Sequence, residues 1–156
     1  MWYVIQTISG SEENVRKAIE RVVPHELYEC CRVIYSESKS NSNGAWHLEK
    51  RNLFPGYLFM ITDDIDPVFF ELKKIPNLTR LLSYGQEITP VTKEEERIRS
   101  RLSGESGTVE MSYGVQVGDV ITVTSGSLAG IESIIRKVDR HKRKAVIQIG
   151  LLGTVR

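Results

Sequence analysis

The run Tyr57-Leu58-Phe59-Met60-Ile61 constrains this chain most. A continuous apolar stretch entered through a Pro55-Gly56 turn fits a central strand buried on both faces. Such a strand needs partners at its sides and covering layers above and below. Trp2 to Ile8, rich in aromatic and β-branched residues, supplies another strand. Ser9 with Glu12 forms a capping-box pattern. The stripe Val15, Ala18, Ile19, Val22, Val23 then predicts an amphipathic helix that Pro24 closes.

Further elements complete a layer. Glu29 to Tyr35 and Ala45 to Arg51 read as the two strands of a hairpin. The polar segment 36–44 between them reads as a mobile connection, either a partner-facing tip or a neutral insertion. Asp66-Pro67 suits an N-cap followed by Pro at the first helical position, which predicts a short helix from Val68 to Lys74, ended by Pro76. Leu78 to Tyr84 reads as a strand, and Thr92 with Glu95 caps a third helix that turns Ile98 and Leu102 inward. The order β-α-β-β-α-β-α predicts a ferredoxin-like α/β layer at the start of an α+β chain.

The tail differs in character. Residues 103–108, Ser-Gly-Glu-Ser-Gly-Thr, have the composition of a flexible linker. Beyond it, Val117 to Val123 is a β-branched segment broken by Gly, as in a small twisted sheet, and Ala145, Ile147 and Ile149 alternate with Val146 and Gln148 as in a strand with one face inward. Residues 110–156 hold seven Lys+Arg against four Asp+Glu, whereas residues 1–109 are net acidic. Six of those seven cations fall within residues 136–144, at Arg136, Lys137, Arg140, Lys142, Arg143 and Lys144, beside His141. The knot is either a solvated turn or a surface that neutralises several phosphates at once, favouring structured RNA read through shape.

Other chemistry has little support. Adjacent Cys30 and Cys31 without a second pair suggest core or strand residues in a reduced cytoplasmic setting. No window approaches the roughly 18 apolar residues of a membrane span. Three scattered His residues and Ser125-Gly126 without a Gly-Lys pair give neither a metal nor a nucleotide signature, so no cofactor and no enzyme are expected.

In order along the chain stand Trp2-Tyr3-Val4-Ile5-Gln6-Thr7 with Ser9-Gly10 and Glu13, Phe54-Pro55-Gly56-Tyr57-Leu58-Phe59, Thr79-Arg80-Leu81-Leu82, and Gly118-Asp119 to Gly130-Ile131-Glu132. In these residues the chain resembles the NusG family of transcription elongation factors. The resemblance implies an NGN-type RNA polymerase-binding domain at 1–102, a flexible linker at 103–113 and an SH3-like β-barrel of KOW type at 114–156. It places Phe54, Tyr57, Phe59 and Tyr84 near the family's polymerase-facing patch, although Tyr57 and Phe59 share a strand face that could simply pack on helices. Arg16 and Lys17 lie where family members touch upstream non-template DNA, or else on a solvated helix face.

With its basic tail the chain is most similar to LoaP-type antiterminators, which implies a monomeric factor that binds RNA polymerase and captures a nascent RNA hairpin. Two alternatives stay open. One is a general elongation factor whose barrel binds Rho or a ribosomal protein; the other is a ribosome-associated KOW RNA-binding protein.

Overall fold

Strand β1 (Trp2–Thr7) lies antiparallel to β5 (Tyr57–Ile61), in a register running from Trp2↔Ile61 to Gln6↔Tyr57. The computed structural model describes residues 1–76, 78–81, 83–84, 87–151 and 154–155; side chains are described for these except 78–80, 83–84, 87, 151 and 154–155. Strand β2 (Cys30–Arg32) pairs with the outer side of β5, and β6 (Leu78–Leu81) with the outer side of β1. The four-stranded order is therefore β2-β5-β1-β6, antiparallel throughout. This is a split β-α-β layer of the ferredoxin-like kind.

Alternation divides β1 and β5 between two cores. Tyr3, Ile5, Leu58 and Met60 face helices α1 (Glu12–Val22) and α2 (Ile65–Leu72), meeting Val15, Ile19, Val68 and Leu72. Trp2, Val4, Tyr57, Phe59 and Ile61 form the opposite core with Ile34 and Val91. Each fully buried side chain of this size contributes about 1.5–3 kcal/mol. Beyond β6, β7 (Ser83–Tyr84) and β8 (Glu87–Ile88) form a separate two-stranded ladder. Helix α3 (Lys93–Ser103) then crosses the second face. Its Thr92–Glu95 capping box is formed as predicted, Leu102 is buried and Ile98 is partly buried.

Several expectations are corrected. Segment 36–44 is not a mobile connection: β3 (Tyr35–Ser42) and β4 (Ala45–Asn52) pair over eight rungs, joined by Asn43-Gly44 alone. Both turn residues have positive φ, 54° and 79°, the geometry of a two-residue hairpin turn that suits Asn-Gly. Helix α2 starts earlier than Val68, because Asp64 rather than Asp66 is the N-cap and accepts a bond from the Asp66 N–H. Of the expected strand Leu78 to Tyr84, the described residues form β6, paired with β1, and β7, paired with β8.

The first helix is not capped through Ser9 either. Ser11 takes the N-cap position, and Glu12 turns inward to accept from the N–H of Gly10 at 2.8 Å and of Gly56 at 2.6 Å. Gly56 sits at φ 84°, and a Cβ there would lie 3.2 Å from the Thr7 carbonyl oxygen. Glu12 thus ties the helix start to the turn that launches β5.

Within residues 103–113, Ser103 ends α3, and β9 (Thr108–Val109) pairs in parallel with β3 through Tyr35↔Thr108 and Ser36↔Val109. Small polar side chains leave the backbone free to join a ladder, so Ser/Gly composition did not foretell this bridge. The rest of the chain forms three antiparallel pairs: β10 (Tyr113–Val117) with β11 (Val120–Ser125), β12 (Ile135–Asp139) with β13 (Lys144–Ile147), and β14 (Gly150–Leu151) with β15 (Thr154–Val155). Among the described residues no ladder joins these pairs into one closed sheet.

This C-terminal unit rests on α3. Leu102 packs with Ile134 and Ile149, and Arg101 donates to the Ala129 carbonyl at 3.2 Å. Arg99 is wholly buried, with its guanidinium 5.4 Å from the Phe59 ring centre and one N–H donated to the Gly150 carbonyl. Its Nε and Nη1 find no hydrogen-bond partner among the described residues. Burial pulls the pKa of this guanidinium down, partly offset by the nearby Glu95 carboxylate.

Burial alone would raise the Glu12 carboxyl, but the N–H donors of Gly56, Glu12 itself and Gly10, together with the Asn52 side chain, outweigh it and hold it below its ordinary value of 4.5. Its contribution is therefore full above pH 4.5 and is lost as pH falls through the lower folded value. Glu12→Gln should lower the unfolding free energy by about 1–2 kcal/mol at neutral pH and flatten the acid limb. Urea titrations across pH check both.

Candidate nucleic-acid interface

The basic cluster is built on one hairpin. In β12 and β13, Val138 faces Ala145 and Asp139 faces Lys144, with an irregularity between Ile135 and Lys137. Residues 140–143 close the turn, the Lys142 N–H donates to Asp139 Oδ1 at 2.9 Å, and Arg143 sits at φ 51°. Arg136, Lys137, Arg140, His141, Lys142, Arg143 and Lys144 are all exposed.

Little neutralises them. Arg136 donates to the Gln148 side chain, and Arg140 makes two long contacts to Gln116 at 3.4 Å. Among the described residues none of the seven makes an ion pair. Arg143 instead places its guanidinium 5.5 Å from the ring centre of Trp46, near the tip of the β3–β4 hairpin. Two hairpins distant in sequence thus meet at one point.

The aromatic set expected at a polymerase surface is not one surface. Tyr57 and Phe59 are buried at 7% and 0% exposure in the core beneath α3, so they lie in the interior rather than on a contact face. Phe54 is half-buried, edge-on to Phe59 at 5.4 Å between ring centres, and also packs against the cluster of Leu102, Ile134 and Ile149. Tyr84 belongs to β7, and its side chain lies outside the described residues. Arg16 is paired with Glu13 and Glu20, while Lys17 beside it is exposed.

Two further surfaces carry exposed apolar side chains. Trp46 and Leu48 are 56% and 58% exposed on a hairpin made mostly of polar residues; an aromatic at the end of a Ser/Asn-rich segment is the signal in the sequence. Tyr113, Val115, Val117 and Val120 are also exposed, and the β10–β11 register sets Val117 opposite Val120. No group of three or more His, Cys, Asp or Glu side chains gathers among the described residues to hold a metal ion. Nor is any helix among them long and apolar enough to cross a membrane.

A split β-α-β layer with a projecting hairpin, followed by a strand-rich unit bearing an exposed basic turn, defines an α+β protein. The family model for transcription termination factor NusG matches residues 1–99, and the chain belongs to the NusG family. It is 24% identical over 158 residues to the transcription termination/antitermination protein NusG of Helicobacter pylori strain J99, covering 97% of this chain and 89% of that one. It is 29% identical over 150 residues to the NusG protein of Lactococcus lactis, covering 90% and 80%. A solved structure of domain interaction in Thermotoga maritima NusG is similar in fold, with a TM-score of 0.61 at 23% identity, covering 99% of this chain and 89% of that chain.

Exposure separates surface from framework in a testable way. Changing Arg140, Lys142 or Arg143 singly to Gln should move the unfolding free energy by no more than about 0.5 kcal/mol. Phe59→Ala should cost about 3–5 kcal/mol. Chemical denaturation of the four variants distinguishes the two classes.

Proposed function

We propose that the chain is a transcription elongation and processive antitermination factor of the LoaP-like kind. Its N-terminal layer, residues 1–102, binds RNA polymerase, and its C-terminal unit, a KOW-type barrel at 114–156, captures a hairpin in the nascent transcript. The observation that carries the RNA reading is the exposed, unneutralised cluster from Arg136 to Lys144 on a single hairpin. Such a cluster attracts phosphates and releases counterions, and structured RNA offers closely spaced phosphates in a fixed shape.

No covalent step is involved. The factor acts by occupancy: polymerase held by one unit and transcript by the other raise each other's effective concentration. Phe54 and Tyr84 are the aromatic anchors on the polymerase side, with Tyr57 and Phe59 supporting Phe54 from the core. A partner that takes Phe54 competes with the Leu102, Ile134 and Ile149 cluster that now covers it. Lys17 is the cation available to upstream non-template DNA; Arg16 is already held by two glutamates. The factor works as a monomer in the cytoplasm and needs no cofactor.

One observation favours a second reading. The exposed apolar residues Tyr113, Val115, Val117 and Val120 suit a protein partner for the C-terminal unit, such as Rho or a ribosomal protein in a general elongation factor.

Binding of the full-length chain to a pool of structured leader RNAs at two salt concentrations separates the readings. The RNA reading expects selective retention of hairpins, weakened by salt. The triple variant R140E/K142E/R143E should abolish that retention while RNA polymerase still co-purifies. Absent or indiscriminate RNA binding would return the C-terminal unit to a protein partner. Loss of both activities in a folded variant would refute the division of labour.

A further inference from the structure

We propose that Trp46 is the base-stacking half of the RNA site whose phosphate-binding half is the 136–144 hairpin. This rests on the RNA reading above and names what the rest of that site must recognise: an unpaired base in the loop of the RNA hairpin.

Trp46 belongs to none of the three hydrophobic clusters of the described residues. It stands more than half exposed at the end of a two-stranded arm, where its burial contributes little to the fold. Register defines its company. Cross-strand partners share a face, so Asn41, Leu48, Lys39, Lys50 and Glu37 lie on the same side of the hairpin as Trp46. Lys39 and Lys50 are exposed and flank the exposed Leu48. The Arg143 guanidinium over the indole makes this face continuous with the basic hairpin.

An aromatic ring set among cations is the chemistry of base stacking beside a phosphate track. Cations alone read any phosphate backbone, paired or not. The indole adds discrimination, because only a base splayed out of its stack offers a free π-face. Arg143 already lies over the ring, so a base can stack on the indole while the guanidinium stays beside the adjoining phosphate.

The test uses the full-length protein and two probes: a stem–loop RNA retained from a pool with randomised loops, and a fully paired duplex with the same stem sequence. Affinity is read at two salt concentrations, together with tryptophan fluorescence. Trp2 is buried at 4% exposure, so quenching by RNA that persists in wild type and vanishes in Trp46→Phe reports Trp46.

Trp46→Ala should weaken the stem–loop roughly 10- to 100-fold, the size of one lost stacking contact. It should leave the salt slope and the duplex affinity unchanged, and Trp46→Phe should recover most of the loss. Stem–loop affinity in Trp46→Ala within about twofold of wild type, with R140E/K142E/R143E still abolishing binding, would overturn the stacking role and leave the basic hairpin standing. Equal losses on stem–loop and duplex would also overturn it. A wild-type protein with no salt-sensitive RNA binding would remove both proposals together.

Discussion

The ladder between Trp2–Thr7 and Tyr57–Ile61 is the constraint on which the molecule depends, because these two strands are apolar on both sides. A strand of this kind cannot sit at a surface, and two of them side by side create two unfinished cores. Helices α1 and α2 finish one, burying Val15, Ile19, Val68 and Leu72. The other is closed by residues from scattered positions, Ile34, Val91 and partly Leu53, Phe54 and Val109, with α3 above them. Glu12 links the first helix to the turn before β5 by charge-assisted hydrogen bonds rather than by apolar contact.

Outside this sheet stand two hairpins of opposite chemical style. The β3–β4 arm is inserted between β2 and β5 and adds no strand to the four-stranded layer, although its base is anchored by Tyr35 against the core and by the β9 pairing. The β12–β13 turn is short and densely charged. Their meeting through Arg143 and Trp46 brings a flat hydrophobic ring to a site that is otherwise a field of cations.

How much was legible in sequence follows from where the information lay. The run at 57–61, the stripe from Val15 to Val23 and the Thr92–Glu95 capping box are local patterns, and each formed the element it encodes. The arm at 36–52 is only half legible because its first strand is Ser, Glu, Lys and Asn, residues without a strand pattern; the backbone ladder and the Asn43-Gly44 turn hold it instead. Tyr57 and Phe59 share a face by period two, but whether that face meets solvent or α3 is a tertiary matter that no spacing reveals. The bridge from Thr108 to Tyr35 has no local signature for the same reason, since a Gly/Ser segment reads alike whether it pairs or not. For the basic site, the cations were evident from composition, whereas Trp46 becomes relevant only once the fold brings a residue nearly a hundred positions away against it.

Arg99 gives the seam between the two units an unusual energetic character. A guanidinium sealed under the C-terminal unit, with two of its nitrogens unpartnered among the described residues, forgoes hydration that it would regain as soon as water entered. Apolar contacts at Leu102, Ile134 and Ile149 hold the seam closed against that pull. Because the hydration of charged groups becomes less favourable on warming, the pull is strongest in the cold. The joint therefore resembles a latch under tension, tighter when warm and easier to breathe open when chilled, while the two-core sheet beneath it stays shut.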